Sequence, residues 1–387
     1  MHGISDAQRR SRLGRRHLLA PSVRAASAES VADSVVALHA TDAATVFLSV
    51  CARLSEVSVG AVERALYEDV SLVRLLSMRN TLFTVSHGLA PCVDASNARA
   101  VAAKERRTLL KHLRDDGNGL DAHWLAETEK ETLAALTARG SATGSELSAA
   151  VPALRTKITV FPGKKQETVQ GVATRVIRVL AADGLIRRDR PRGSWTSSQF
   201  RWTAAEPWPA LEPVAARTEL ALRWLGSYGP ATEADLKWWT GWGLGQVRQA
   251  LETAGAEEVR FDSGATGWVS PGDTGPEPNL EPWAALLPAL DPSAMGWADR
   301  GFHLPDGYRA ALFDRAGNVG PTVWWNGRIV GGWAQRADGE LVWRLLTDVG
   351  REATTAIEAE ASRLSGWVGE TRITPRFRTP LERELTA

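Results

Sequence analysis

Residues 143–154, TGSELSAAVPAL, and residues 167–188, ETVQGVATRVIRVLAADGLIRR, decide the predicted fold of this 387-residue chain. In the first stretch, Thr143 and Glu146 have the spacing of a capping box, which predicts that a helix begins there. In the second stretch, apolar residues recur at helical spacing from about Glu167 to Ala182, and a glycine follows. Both stretches therefore favour helices that are separated by a short connection.

A predicted hairpin completes this part of the chain. Leu185–Arg188 favours a strand, Asp189–Ser194 a turn and Trp195–Trp202 the returning strand. The leucines between Leu125 and Leu136 add a helix upstream. Three helices followed by a two-stranded wing are typical of a winged helix-turn-helix unit.

The same order recurs downstream. Leu220–Leu225 predicts a helix, Thr232–Asp235 the cap of a second one, and Val259–Val269 a hairpin. The amino-terminal third is mainly helical and favours a further, degenerate unit of this kind. Its predicted elements are helices at 31–38, 45–53 and 59–67 and a strand at 81–85.

Beyond a Gly- and Pro-rich linker at 267–282, the sequence predicts a β-rich region. Asn326-Gly327 separates two apolar runs, 322–325 and 328–333, and is a strong hairpin signal. Further elements are a strand at 341–346 and a helix at 354–364. We therefore predict an α+β protein of tandem winged helix-turn-helix units with a C-terminal β-rich region. The predicted domains are 1–120, 121–205, 206–275 and 276–387.

Composition excludes several classes of protein. The 46 Lys and Arg residues nearly balance the 45 Asp and Glu residues, so no global field attracts polyanions. Two cysteines are too few for a disulfide framework or a Cys-rich zinc site, and they favour a reducing, cytoplasmic location. The sequence contains neither an apolar run long enough to span a membrane nor an export signal, so no membrane association is expected.

Basic residues are nevertheless concentrated locally. Residues 155–201 hold eleven Lys or Arg against three Asp or Glu, which is the footprint expected for contact with a polyanion. The residues predicted to contact DNA from this stretch are Lys164, Lys165, Arg175, Arg178, Arg187, Arg188, Arg190 and Arg192. The hairpin turn adds Trp324, Trp325, Asn326 and Arg328, since aromatic groups stack on bases and cations bind phosphates. The alternatives are a solvated surface paired with acids and tryptophans packed in a half-buried sheet.

The sequence contains no signature of a metal site, a phosphate loop or an activated nucleophile. We therefore expect no metal and no cofactor, nucleotide cofactors included. Polar residues cluster instead in His39-Ala40-Thr41-Asp42, at the end of an apolar helix. Extended backbone there would point His39 and Thr41 to the same side. The alternative interpretation is that Thr41 or Asp42 caps the next helix.

Several short segments together resemble one family, the AlkZ/YcaQ-type DNA glycosylases. The resemblance extends from about Arg10 to Arg378, which is nearly the whole chain. The segments are 36–42 (VALHATD), 65–69 (ALYED), 71–74 (SLVR), 78–82 (MRNTL), Leu287-Pro288, Asp291-Pro292, 320–323 (GPTV) and 327–331 (GRIVG). The resemblance implies tandem winged helices and the excision of alkylated purines, including bulky adducts made by genotoxic natural products.

The resemblance also locates the active motif. Family members carry Gln-x-Gln or Gln-x-Asp where this chain has His39-Ala40-Thr41, which implies catalytic roles for His39 and Thr41. In the expected mechanism His39 binds or deprotonates the attacking water, Thr41 orients it, and Asp42 stabilises the cationic sugar.

The expected protein is a monofunctional glycosylase that acts as a monomer on bulky N7-guanine adducts in double-stranded DNA. Its expected roles are base excision repair and self-resistance to a genotoxic natural product. The alternative function is that of a non-catalytic winged-helix protein, either a transcription regulator or a lesion sensor.

Overall fold

The computed structural model describes residues 2–116 and 118–387 of the chain. Within them the protein has a mixed α+β structure, as predicted. The first elements are β1 (His2–Ile4), α1 (Asp6–Arg16), α2 (Ala28–Ser34), β2 (Leu38–His39), α3 (Ala43–Arg53), α4 (Val59–Tyr67), β3 (Leu72–Ser77) and β4 (Thr81–Ser86). We call residues 28–86 the first segment; its strands form an antiparallel sheet in the order β2-β4-β3.

The predicted helix at 31–38 is wrong at its C-terminal end. Helix α2 ends at Ser34, Val36 has a φ of 63°, and Leu38–His39 pairs with β4. Two consecutive β-branched residues, Val35 and Val36, fit a helix poorly. His39 therefore lies in an edge strand.

A connection leads from the first segment to the second segment, which comprises residues 122–204. The connection is formed by α5 (Ala90–Val93), a π-helical turn at 94–98 and α6 (Arg99–Asp115). The second segment contains α7 (Ala122–Arg139), β5 (Ala142–Thr143), α8 (Gly144–Ala150), β6 (Lys157–Val160), β7 (Thr168–Gly171), α9 (Ala173–Ala182), β8 (Ile186–Asp189) and β9 (Arg201–Ala204). Thr143 and Glu146 form the predicted capping box of α8. The strands form a sheet in the order β5-β9-β8 and a separate β6-β7 hairpin.

Two element boundaries in the second segment differ from the prediction. Helix α9 begins at Ala173 and not near Glu167, because residues 168–171 pair with β6. Trp195 does not belong to the returning strand, which is limited to β9. Its indole is buried against the rings of Phe47 and Trp367, with centroid distances of 5.2 and 6.0 Å. Long-range packing of one large aromatic residue thus shortens the returning strand of the hairpin.

The third segment, residues 213–269, contains three helices followed by a hairpin, and the amino terminus adds a third strand to that hairpin. It contains α10 (Pro213–Tyr228), α11 (Glu233–Thr240), α12 (Leu244–Thr253), β10 (Glu257–Phe261) and β11 (Thr266–Val269). Thr232 and Asp235 form the predicted cap of α11. Strand β1 pairs in parallel with β10, so the first residues of the chain extend this sheet.

The C-terminal region forms a four-stranded sheet in the order β12-β13-β14-β15. Its elements are β12 (Ala284–Leu287), α13 (Pro292–Met295), α14 (Arg309–Leu312), β13 (Thr322–Trp325), β14 (Arg328–Gln335), β15 (Leu341–Leu345), α15 (Gly350–Val368) and α16 (Pro380–Leu385). The predicted hairpin is confirmed: Asn326 and Gly327 have φ values of 46° and 78°, as a type I′ turn requires.

A fully buried ion pair joins the first segment to the C-terminal region. The guanidinium of Arg53 donates to both carboxylate oxygens of Asp291, at 2.9 and 2.7 Å, and neither side chain is exposed. The hydroxyl of Ser49 also donates to Asp291, at 2.8 Å. Burial raises the pKa of Asp291, but the opposing effects of Arg53 and the hydrogen bonds are larger, so the pKa lies below its usual value. Asp291 therefore stays charged in the core, beside the guanidinium of Arg53.

We expect the substitution Arg53→Met to destabilise the protein strongly, because it leaves the buried Asp291 uncompensated. The expected loss is about 3–5 kcal/mol in the free energy of unfolding, measured by urea denaturation. Removing both charges in Arg53→Met/Asp291→Leu should recover part of this loss. The control Arg64→Met, on the exposed face of α4, should stay within about 0.5 kcal/mol of the parent. Equal stability of Arg53→Met and the control would contradict the importance of the pair.

Candidate functional site

An arginine-lined cleft lies between the first and second segments, with a contribution from the C-terminal region. Its cavity volume is about 600 Å³, and its walls come mainly from β3, β4, α9, β8 and residues 376–377. The charged residues of the lining are Arg74, Arg178, Arg187, Arg188 and Arg376. No Asp, Glu or Lys among the described residues lines it. A cleft with charge of one sign and apolar walls concentrates anions.

The structure places both His39 and Thr41 in the wall of this cleft. His39 lies opposite Phe83 in the sheet, and the two rings meet edge to face with centroids 5.2 Å apart. Only 7% of His39 is exposed, and its Nδ1 has no hydrogen-bond partner within residues 2–116 and 118–387. Burial, with a smaller effect of Arg79, lowers the pKa of His39 to about 3. At physiological pH the imidazole is neutral and offers hydrogen bonds, not charge.

Asp42 belongs to the framework of the cleft and not to its lining. One carboxylate oxygen caps α3 by accepting the backbone N–H of Ala44 at 3.1 Å, and the other accepts the backbone N–H of Arg376 at 2.9 Å. The predicted position of Asp42 against the sugar is thereby corrected: the capping interpretation describes it, because backbone donors occupy both of its oxygens.

Arg188 is a poorly compensated cation in the cleft. Its guanidinium lies 3.8 Å from the ring centroid of Phe200 and 5.7 Å from that of Trp202. Its Nε and Nη1 are buried and find no hydrogen-bond partner in the described part of the chain. Burial, with smaller effects of Arg74 and Arg376, lowers the pKa of Arg188 to about 10, so the group is charged at neutral pH. Buried guanidinium nitrogens without a partner are costly, and such a group is typical of a binding site.

Two further residues predicted to contact DNA, Arg178 and Arg187, also line the cleft. Arg178 donates to Glu105 at 2.7 Å and to the side-chain oxygen of Asn80 at 2.8 Å. Asn80 lies in the β3-β4 turn with a φ of 59°, a conformation that Asn tolerates better than most residues. Glu105 thus neutralises part of the charge of Arg178.

The other predicted cations of the second segment lie outside the cleft. Lys164 and Lys165 are exposed in the β6-β7 connection. The arginines have partners: Arg175 donates to Gln170 and His112, Arg190 to Glu63 and Glu68, and Arg192 to Glu146. The pairing of Arg190 and Arg192 with acids agrees with the alternative interpretation of the basic stretch.

The prediction that Trp324 contacts DNA is wrong. Its indole is fully buried and donates to the hydroxyl of Thr322 at 2.8 Å. In a β-strand neighbouring side chains point to opposite faces, and this one points into the core. The neighbouring Trp325 is half-buried.

The turn of the same hairpin is covered by α1. A Cβ atom on Gly327 would lie 2.7 Å from the Cβ of Arg10, so only glycine fits there. Asn326 is exposed, but two hydrogen bonds tie it to the backbone of Trp283. Arg328 is exposed and lines neither the cleft nor the space next to it. This hairpin is therefore part of the framework, apart from the side chain of Arg328.

Residues 32–367 match the family model of the AlkZ-like DNA glycosylases. The chain belongs to the AlkZ-like DNA glycosylase family. Its fold is similar to that of the Streptomyces sahachiroi DNA glycosylase AlkZ, with a TM-score of 0.71 and 22% sequence identity over 94% of this chain and 97% of that one. Comparison with curated proteins finds no match.

Sequence reasoning missed several lining residues of this AlkZ-like protein. Arg74 and Asn80 lie in two of the segments that carry the family resemblance, so that signal pointed towards them. Arg376 and Phe377 lie in an irregular stretch after α15 and carry no local signal. They reach the cleft through the tertiary fold, where Arg376 donates to the backbone oxygen of Thr41 at 3.4 Å.

Among residues 2–116 and 118–387 of this family member, no group of three or more His, Cys, Asp or Glu side chains is placed to hold a metal ion. Nor does that part of the chain contain a helix that is long and apolar enough to cross a membrane.

We expect His39 to make the folded protein less stable in acid. Its pKa is lowered from 6.5 to about 3 on folding, so between these values only the unfolded chain binds the proton, and stability falls as the pH falls through this window. The substitution His39→Asn should reduce the acid-induced fall in the free energy of unfolding by up to about 1.4 kcal/mol per pH unit. Urea unfolding of parent and variant at neutral and mildly acidic pH measures the difference. The exposed His123→Asn control should show the same acid sensitivity as the parent, and equal behaviour of both variants would refute the assignment.

Proposed function

We propose that this protein is a monofunctional DNA glycosylase that hydrolyses the N-glycosidic bond of bulky N7-alkylated guanines in double-stranded DNA. The observation that carries the proposal is the convergence of His39, Thr41 and five arginines on one cleft, in which Arg188 keeps buried nitrogens without a partner. Membership of a DNA glycosylase family and the similarity to AlkZ support DNA as the substrate.

We infer that the three segments are winged helix-turn-helix units. In the first and second segments, a short strand between the helices pairs with the second strand of the hairpin. In the third segment, the bridge between Ala231 and Trp268 takes the place of that pairing. This repetition supports domain boundaries near residues 120, 205 and 275, with the exception that residues 2–16 belong with the third unit and not with the first.

The composition of the cleft favours a base that departs without protonation. An N7-alkylated guanine is already cationic, so it becomes neutral when the C1′–N9 bond breaks and the electron pair leaves with the base. His39 is neutral, and no carboxyl group lines the described part of the cleft to act as a general acid. Unmodified bases and neutral lesions, which gain from protonation, are therefore poor substrates.

His39 and Thr41 act on the attacking water. A group whose pKa is about 3 is a weak base, which supports a role for His39 in holding the water by a hydrogen bond, not in deprotonating it first. The hydroxyl of Thr41 orients the same water. The water oxygen bonds to C1′ as the sugar becomes cationic, and the proton passes to solvent. The product is an abasic site, because no lysine among the described residues lines the cleft to form a Schiff base.

The size of the cleft suits a purine that carries a large substituent. Its volume of about 600 Å³ lies in the middle of the range for small-molecule sites, roughly 300–1,000 Å³. Because the cleft lies between two segments, an adduct can extend out of it. Removal of such lesions initiates base excision repair, and we propose that it provides self-resistance to a genotoxic natural product.

We expect the protein to release a bulky N7-alkylguanine from duplex DNA much faster than a neutral lesion such as ethenoadenine. Mass spectrometry of the free base and strand breaks that appear only after alkali measure the reaction. Equal release of the neutral lesion would contradict the leaving-group argument, and breaks without alkali would contradict monofunctional chemistry. Binding of adducted DNA without release of any base would favour a lesion sensor.

Substitutions of the motif should slow base release. For His39→Ala and Thr41→Ala we expect single-turnover rates that are lower by roughly 10- to 100-fold, which corresponds to the loss of one well-placed hydrogen bond each. The matched controls are His123→Ala and Thr137→Ala, which change exposed positions outside the cleft and should keep the parental rate. Parental rates in both motif variants would remove His39 and Thr41 from the mechanism.

A further inference from the structure

A second basic space, which we call the C-terminal groove, adjoins the cleft. Its cavity volume is about 1160 Å³, and residues 307–316 and 376–383 supply its lining. Arg376 and Phe377 line both spaces. A polymer that is bound in the cleft and extends past Arg376 and Phe377 therefore enters the groove directly.

The lining of the groove is strongly cationic. Its charged residues are Arg309, Arg315, Arg376, Arg378 and Arg383, together with one carboxylate, Asp314. Asp314 accepts hydrogen bonds from the backbone of Ala316 and from the backbone and side chain of Asn318, so its oxygens are engaged within their own loop.

Three of these arginines are free to meet an anion. Arg309, Arg315 and Arg383 are exposed and form no ion pair with any residue in 2–116 or 118–387. Arg378, in contrast, is paired with the buried Glu382. Like charges that no acid pairs with repel one another, and a bound polyanion reduces that repulsion.

The residue type points to phosphate. Every cation in the lining is arginine, whose planar fork matches phosphate oxygens with two parallel hydrogen bonds. Phosphodiester groups at regular spacing along a nucleic-acid strand would contact several of these guanidinium groups in turn.

We infer that the C-terminal groove binds the phosphodiester backbone of the DNA strand that continues from the nucleotide in the cleft. The inference rests on the proposed function, since it takes DNA as the substrate. Arg376 connects the lining of the groove to the motif residues. Its backbone N–H donates to the carboxylate of Asp42 at 2.9 Å, and its guanidinium donates to the backbone oxygen of Thr41 at 3.4 Å. Backbone phosphates held there set the register of the strand against His39 and Thr41 without reading its sequence.

The test compares the triple variant Arg309→Gln/Arg315→Gln/Arg383→Gln with a control of equal charge change, Arg139→Gln/Lys237→Gln/Arg351→Gln. The control residues are exposed and line neither the cleft nor the groove. Fluorescence anisotropy of a labelled, undamaged duplex at several salt concentrations gives the affinity and its salt dependence. Thermal unfolding verifies that both variants are folded.

For the groove variant we expect the slope of log affinity against log salt to become shallower by up to about 2.7, since each phosphate contact contributes about 0.9. The control should keep the parental slope. The conservative variant Arg309→Lys/Arg315→Lys/Arg383→Lys retains the charges and should restore most of the slope. A groove variant with the parental slope and affinity would overturn the inference.

This experiment does not depend on catalysis. If the parent releases no adduct but the groove variant loses salt dependence, the proposed function fails and the groove assignment stands. If the parent releases adducts while the groove variant binds as the parent does, the groove assignment fails and the proposed function stands.

Discussion

The buried ion pair between Arg53 and Asp291 holds the first segment, which carries His39 and Thr41, against the C-terminal region. Two desolvated charges are tolerated in a core only when geometry and hydrogen bonds are complete, and here the pair is bidentate with added contacts from Ser49 and Ser293. Arg53 ends helix α3, and Asp42 caps its start, directly after His39 and Thr41. The ion pair therefore sets the position of the motif relative to the C-terminal region.

Charge is distributed unevenly in a chain that is almost neutral overall. The acids Glu63, Glu68 and Glu146 pair with arginines of the second segment, away from the cleft. Within residues 2–116 and 118–387, no acid forms an ion pair with Arg188 or with the exposed arginines of the C-terminal groove. A polyanion is thus attracted to one continuous surface, although the net charge of +1 gives no hint of it.

Burial gives the motif its chemical character. Desolvation keeps His39 uncharged, and capping removes Asp42 from the cleft, so the site combines hydrogen-bonding groups with arginines, and no carboxyl group among the described residues lines it as a general acid. Such a site suits a reaction in which the leaving group already carries the positive charge. The absence from positions 39 and 41 of the glutamines that the family resemblance leads one to expect is thereby compatible with the proposed hydrolysis.

The sequence by itself determined the features that depend on neighbouring residues. The capping boxes at Thr143 and Thr232 and the Asn326-Gly327 hairpin depend on residues a few positions apart. The short segments of the family resemblance are equally local, and they led to His39 and Thr41. Only the tertiary structure decided that Leu38–His39 is a strand, that Trp324 is buried, that β1 joins the third segment and that Arg376 lies beside Thr41. These outcomes depend on contacts between residues far apart in the chain, where burial and pairing outweigh local preference.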